Sequence, residues 1–261
     1  MGERTDLTKF VIQSASGLFP EVDILKHVIH DTVRQRAWSI SYEQIEFEKF
    51  KRRIQTNNDR YIEHYPVGSI QFVEYWLNHY HNKSMQPIEV PQALRTEEFL
   101  KRDYKIVTKG EVPHTGRYFV KNVSKLKSGS FLGDMIRWHI AYAPDYDDDT
   151  VFSLSSELDI LSEWRVYCID GKIENISNYD GNPLVFPDVK LINKMICVFE
   201  QTEKTPKSYS IDVAVTSEGT AILEIHPFAS IGLYNTLWGT NLIEAYKDGI
   251  KWYTSTDYKL F

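Results

Sequence analysis

Cysteine is scarce, with only Cys168 and Cys197 among 261 residues. That excludes a disulfide framework and makes a reducing cytoplasm the expected setting. No run approaches the ~18 consecutive apolar residues that would suggest a membrane span. Met1 to Asp6 is polar and leads straight into Phe10-Val11-Ile12, without the basic start and long apolar core of a secretion signal. Positive charge is also in short supply. Thirty Lys and Arg against 36 Asp and Glu leave a net charge of −6, so a nucleic-acid partner is not expected, although a local basic cleft remains compatible with this balance. Internal repeats and low-complexity tracts are missing. So is the Walker pattern of a P-loop, Gly-x-x-x-x-Gly-Lys-Ser/Thr. Aromatic residues, by contrast, are plentiful at 13% of the chain, enough apolar area to exclude a disordered chain.

Periodicity divides the chain into elements. Lys9 to Gln13 predicts a strand, and Asp23 to Gln35 a helix with Ile24, Val28, Ile29 and Val33 near one face. Ile70 to Tyr80 predicts a second helix, N-capped by Ser69. His81 to Pro91 is polar and proline-bracketed, which suggests a linker. Further on, Arg117 to Val120 and Val151 to Leu154 predict strands. Asp170-Gly171 joins Glu163–Ile169 to Lys172–Ile176 as a two-residue hairpin. Val189 to Glu203 and Leu242 to Trp252 predict helices. The alternation points to an α+β fold built on antiparallel sheet.

A second hairpin carries the most chemistry. With Ser217-Glu218-Gly219 as a three-residue loop, Thr216 faces Thr220 and Asp212 lies opposite Glu224. Residues two apart share a face, so Ser210 and His226 join the two acids. Tyr209, Ile211, Val213, Val215, Leu223 and Ile225 then form the other face. Opposed like charges cost a sheet up to about 1 kcal/mol, so the acids are either solvated or arranged around a cation. On that reading, removing one of them raises stability.

Two further features suit phosphate. Lys121 closes the strand Arg117-Tyr-Phe-Val-Lys, where a fixed cation can meet a phosphate. The loop 124–130, rich in Ser, Lys and Gly, offers N–H groups and hydroxyls; a solvated surface loop is the simpler alternative. On one strand face, Glu163 and Arg165 are either a surface ion pair or a hydroxyl acceptor beside a phosphoryl ligand.

In this order the pieces resemble the ATP-grasp superfamily. They are a strand ending in Lys121, a small-residue loop at 124–130, a hinge strand near 151–158, Glu163-Trp-Arg165-Val, Asp212 and Glu224-Ile-His226-Pro. The usual last motif is Glu-x-Asn, so His226 departs from it. Pro66-Val-Gly-Ser69-Ile-Gln-Phe-Val, Ile88 to Leu94 and Phe99-Leu-Lys-Arg102 look like a small bacterial and phage-associated clade in which an arginine replaces the first nucleotide-binding lysine.

The resemblance implies an ATP-grasp fold of two α+β subdomains, at 92–158 and 159–261, preceded by a small α/β domain at 1–91. It implies ATP and Mg²⁺ as cofactors. Arg102 and Lys121 would contact phosphates, with Arg95 and Lys101 as alternatives to Arg102. Ser156, Glu157 and Leu158 would meet adenine and Glu163 the ribose. Asp212, Glu224 and His226 would hold the metal. Many members carry an arginine two residues before the metal aspartate, where this chain has Ser210, and Arg165 would supply that charge. Lys121 and Arg165 are thus the candidate catalytic residues. The implied activity is a carboxylate–amine or carboxylate–thiol ligase working through an acyl phosphate, on a small-molecule or peptide carboxylate and an amine acceptor. A regulatory ATP-binding protein of the same fold is one alternative. A nucleotidyl-transferring ligase is another, but it needs a Lys-x-Asp-Gly motif, and Lys247-Asp248-Gly249 is one residue short of it.

Overall fold

The computed structural model describes residues 7–14, 20–34, 39–85, 89–124, 130–133, 140, 146–203, 205–234 and 238–255. The chain is α+β, with three sheets among these residues. In the first, β1 (Thr8–Gln13) lies between β2 (Ile40–Ile45) and β3 (His64–Val67), all parallel. Phe10, Val11 and Ile12 are fully buried. Consecutive apolar residues are what a parallel strand covered on both faces requires. Phe10 and Ile12 pack with α1 (Pro20–Arg34), and Val11 with α2 (Phe47–Thr56) and α3 (Ile70–His81). At the start of α3 the Ser69 hydroxyl accepts from the Phe72 N–H, as the capping signal predicts. The last helix, α6 (Asn241–Ser255), contributes Leu242 and Tyr246 to one of these clusters and Ile250 and Tyr253 to the other. The end of the chain therefore helps to bury its beginning.

In the 81–91 stretch His81 ends α3 and the remainder is irregular where described. Within it, Glu89 is 3% exposed and makes an antiparallel bridge to Ile225. A short helix, α4 (Glu97–Leu100), leads into the second sheet. There β4 (Tyr104–Thr108), β7 (Val151–Ser155), β5 (Tyr118–Asn122) and β6 (Ser130–Gly133) lie side by side, antiparallel, over a small core around Val120, Phe152 and Leu154.

The third sheet has the order β11-β10-β8-β9, from β8 (Ile160–Ile169), β9 (Lys172–Gly181), β10 (Ser208–Thr216) and β11 (Gly219–Pro227). The β8–β9 turn has φ of 48° at Asp170 and 69° at Gly171, the paired left-handed residues of a tight hairpin whose twist matches its strands. α5 (Val189–Glu200) covers the back of this sheet, packing Ile192, Met195, Ile196 and Phe199 onto Tyr209, Ile211 and Val213.

The β10–β11 hairpin corrects one expectation. Its loop has two residues, with Thr216 opposite Gly219 and Val215 opposite Thr220. Asp212 nonetheless faces Glu224, because a bulge follows on β11: Val213 pairs with Ile222. The extra residue absorbs the one-residue difference in loop length. It also reverses two side chains relative to the expected alternation. Ile222 enters the core, and Leu223, expected there, turns to the opposite side.

Gly249 shows how closely α6 is seated. A Cβ built there would lie 2.0 Å from the Phe228 carbonyl oxygen, a backbone atom that cannot swing away. Helix propensity favours Ala over Gly by about 1 kcal/mol, yet we expect Gly249→Ala to destabilise the fold by about 1–3 kcal/mol in urea denaturation. A gain in stability would contradict this packing.

Candidate functional site

Alternation on the strands decides what faces the space between the second and third sheets. From β5 come Phe119 and Lys121, from β7 Ser153 and Ser155, from β4 Tyr104, and from β6 Ser130 and Leu132. From the third sheet come Glu163, Tyr179, Leu223 and Glu224. The connection Ser156-Glu157-Leu158 runs from β7 towards β8 and lines the same space. The result is a cleft of about 470 Å³ between two antiparallel sheets.

A chain of alternating charges runs across it. Lys121 Nζ on one sheet is ion-paired with Glu224 on the other. His226 Nε2 lies 2.9 Å from Glu224 Oε1 and 3.6 Å from Asp212 Oδ2. Arg165, the register partner of Asp212, donates to both its oxygens at 2.8 and 2.7 Å. The guanidinium is framed by the Tyr179 and Tyr234 rings, 5.7 and 5.2 Å away. The two acids are therefore ion-paired, Asp212 buried and Glu224 partly exposed at the cleft. Arg165 and Asp212 are both buried, and each charge has its counter-charge, as burial demands.

These contacts set the protonation states. Burial disfavours the charged form at each position, and here the partners outweigh it. Glu224 is held well below the usual carboxylate range by His226 and Lys121. Asp212 is lowered through its bonds from Arg165 and His226. The His226 pKa is raised by Glu224 and Asp212, and that of Lys121 is raised chiefly by Glu224. Glu163 differs. Burial pushes its pKa up, only partly opposed by a 2.6 Å hydrogen bond from Tyr179, with nearby Asp180, Asp212 and Glu224 adding to the rise.

Asp212, Glu224 and His226 each offer one ligand atom within 4.8 Å of the others. Two carboxylates suit a hard divalent cation, and an imidazole between them suits a softer one. The donor set fits a divalent ion.

Most expected site residues are brought together here. Lys121, Ser156, Glu157, Leu158, Glu163 and Glu224 line the cleft, and Arg165, Asp212 and His226 extend the charge chain from it. Of the three basic candidates near 95–102, only Arg102 lines it. Its guanidinium donates to the Leu100 and Ile222 carbonyls at 3.1 and 2.7 Å. Arg95 turns instead to the Val90 carbonyl and Gln92. Glu157 is engaged by Arg117. The loop residues 125–129, including Lys125 and Lys127, lie outside the described residues. Lys247-Asp248-Gly249 lies on α6, where Lys247 is ion-paired with Glu244, Asp248 accepts from Ser208 and Gly249 abuts Phe228, and none of the three lines the cleft.

Sequence reasoning missed Glu89, Tyr104, Ser153 and Tyr179. Glu89 carried a signal, an acid directly before Val90 in a proline-bracketed segment, but only the tertiary fold places it at the cleft.

A family model of the ATP-grasp domain, describing the second family of one clade of that domain, matches residues 99–238, more than half of the chain. The protein belongs to this ATP-grasp family. The matched span holds every cleft residue named above except Glu89. Among solved structures, the D-alanine–D-alanine ligase of Bacillus anthracis is 12% identical, with a TM-score of 0.50 over 95% of this chain and 97% of that one. The ATP-grasp ligase PsnB, in complex with a minimal precursor, is 13% identical, with a TM-score of 0.50 over 94% and 100%. At such identities the likeness is one of fold, and it extends the ATP-grasp architecture over nearly the whole chain. No curated protein sequence matches.

The ion pairs reverse the expectation that losing an acid raises stability. Asp212→Ala leaves Arg165 buried without its partner and should cost about 3–5 kcal/mol, measured by denaturation; a stabilised variant would contradict this. The linkage signs give a pH window. Asp212 and Glu224, lowered on folding, contribute stability above about pH 4 that is lost as pH falls through their folded values. His226, raised on folding, contributes stability below about pH 6.5 that is lost as pH rises through its folded value. The Tm of the unliganded protein should therefore decline on both sides, and His226→Gln should abolish most of the alkaline decline. An unchanged alkaline limb would contradict the assignment.

Proposed function

We propose that this ATP-grasp protein is an ATP-dependent ligase that joins a carboxylate to an amine or thiol. The observation that carries the reading is the cleft itself: a lysine on one sheet and paired acids on the other meet across a space that could hold a nucleotide.

Arg102 and Lys121 bind the phosphates. The backbone of Ser156, Glu157 and Leu158 meets the adenine, and Glu163, whose second oxygen is not taken by Tyr179, accepts from a ribose hydroxyl. Asp212 and Glu224 hold Mg²⁺, with His226 as the third ligand. The ion supplies charge neutralisation for the transferred phosphoryl group. The substrate carboxylate attacks the γ-phosphorus, the β–γ bridging bond breaks, and ADP leaves. The amine or thiol then attacks the acyl carbon of the resulting acyl phosphate and inorganic phosphate departs, the nucleophile's proton passing to solvent or a base. Lys121 and Arg165 keep positive charge beside the developing anions. The two sheets exclude water from the acyl phosphate.

The structural neighbours are ligases, one of D-alanine and one in complex with a minimal precursor. That supports a small-molecule or peptide carboxylate as the class of substrate.

Two measurements test the reading. Glu224→Gln should abolish Mg²⁺-dependent release of phosphate from ATP in the presence of candidate acids and amines; full activity would overturn the metal assignment. Lys121→Ala should weaken binding of a nonhydrolysable ATP analogue by at least about tenfold in calorimetry, the loss expected for one phosphate contact made by a charged group. Unchanged affinity would move the phosphate site elsewhere.

A further inference from the structure

Glu89 stands outside the family's matched span and outside the charge chain, yet it is the most buried acid lining the cleft. The charged residues that line the cleft are Glu89, Glu157, Glu163 and Glu224 against Arg102 and Lys121. A space offered to a polyphosphate thus carries more acids than bases among the described residues. Three of the acids are accounted for. Glu157 is paired with Arg117, Glu224 with Lys121 and His226, and Glu163 is bonded by Tyr179.

The hydrogen-bond donors to Glu89 are neutral. Its Oε1 accepts from the Val90 N–H at 3.0 Å, and its Oε2 accepts from the Ser153 hydroxyl at 2.6 Å. Ser153 is itself the register partner of Lys121, and the Glu89 backbone is bridged to Ile225, next to Glu224. The carboxylate is therefore tied to the second sheet through Ser153, while its backbone is bridged to the third. Its charge acts on both cleft cations: it is the acid acting on Arg102, and it acts on Lys121 together with Glu224 and Asp212.

We infer that Glu89 is a specificity-determining residue that holds down the field of Arg102 and Lys121, so that the cleft accepts a nucleoside polyphosphate carrying its own cation and rejects the bare polyanion. The physical basis is Coulombic. A fixed anion lining the same cleft as two cations offsets part of their attraction for a second anion. A ligand whose charge is already reduced by a bound cation loses less. The geometry serves this role because Glu89 cannot swing away, with both oxygens bonded and the backbone bridged.

The inference rests on the nucleotide reading above, and its test separates the two. The full chain is titrated calorimetrically with the ATP analogue AMPPNP, once with excess Mg²⁺ and once with EDTA, for the native protein, Glu89→Gln and Glu89→Asp. The native protein should prefer the Mg²⁺ form strongly. Glu89→Gln keeps the shape and an acceptor for Ser153 but loses the charge, so it should bind bare AMPPNP about tenfold tighter, a change of order expected for removing one nearby charge. Its preference for the Mg²⁺ form should narrow accordingly. Glu89→Asp keeps the charge and should keep the native preference. A preference unchanged in Glu89→Gln would overturn the role of Glu89 while leaving the nucleotide reading intact. Absence of AMPPNP binding in every condition would overturn the nucleotide reading and this inference with it. If Glu89→Gln fails to fold, the native protein still decides: equal affinity for bare and Mg²⁺-loaded AMPPNP would overturn the inference.

Discussion

Two carboxylates that face each other across a β-hairpin cannot be buried together unless something neutralises them. Here the neutralisation is a line of alternating charges, Lys121–Glu224–His226–Asp212–Arg165, that begins on one sheet and ends in the core of another. The site's features follow from that constraint. Arg165 is buried because Asp212 needs it and because two tyrosine rings frame it. Lys121 reaches across the cleft because Glu224 shares His226 with Asp212 and needs a full positive charge of its own. The groups that would hold a cation and a phosphate hold each other.

The fold delivers these residues through small local devices. The bulge on β11 keeps Asp212 opposite Glu224 although the hairpin loop is one residue shorter than its composition suggests, and it turns Leu223 to the cleft and Ile222 to the core. The β7–β8 connection is where the two sheets meet, so Ser156, Glu157 and Leu158 sit on the cleft wall. Glu89 ties the segment that follows the N-terminal sheet to both cleft sheets. α6 closes the arrangement at the far end by packing against the first sheet, with Gly249 allowing the backbone of Phe228 to approach.

Much of this was legible in the residues. Alternation along Ser208 to Val215 and the Asp-Gly turn at 170–171 mark the third sheet, and Lys121, Glu163 and Glu224, singled out by their order in the sequence, line the cleft. Parts that depend on tertiary context were not. The strand Ile40–Ile45 is mostly polar and its state is decided by packing in the tertiary fold, whereas the helix Phe47–Thr56 carries a helical signal of its own, with Phe47, Phe50 and Ile54 on one face. The bulge cannot be read from a hairpin whose loop could hold two or three residues. The neutralisation of the acids was invisible because Lys121 and Arg165 lie 103 and 47 residues from their partners. Glu89, in what reads as a linker, acquires its place only when Ile225 and Ser153 come to it.

The most direct test of the central claim is a crystal structure of the protein with AMPPNP and Mn²⁺, the ion located by its anomalous signal. The account predicts the ion on the Asp212 and Glu224 carboxylates, with the triphosphate between the two sheets and Lys121 turned from Glu224 to a phosphate oxygen. An ion bound away from these carboxylates, or a nucleotide outside the cleft with Lys121 still on Glu224, would contradict it.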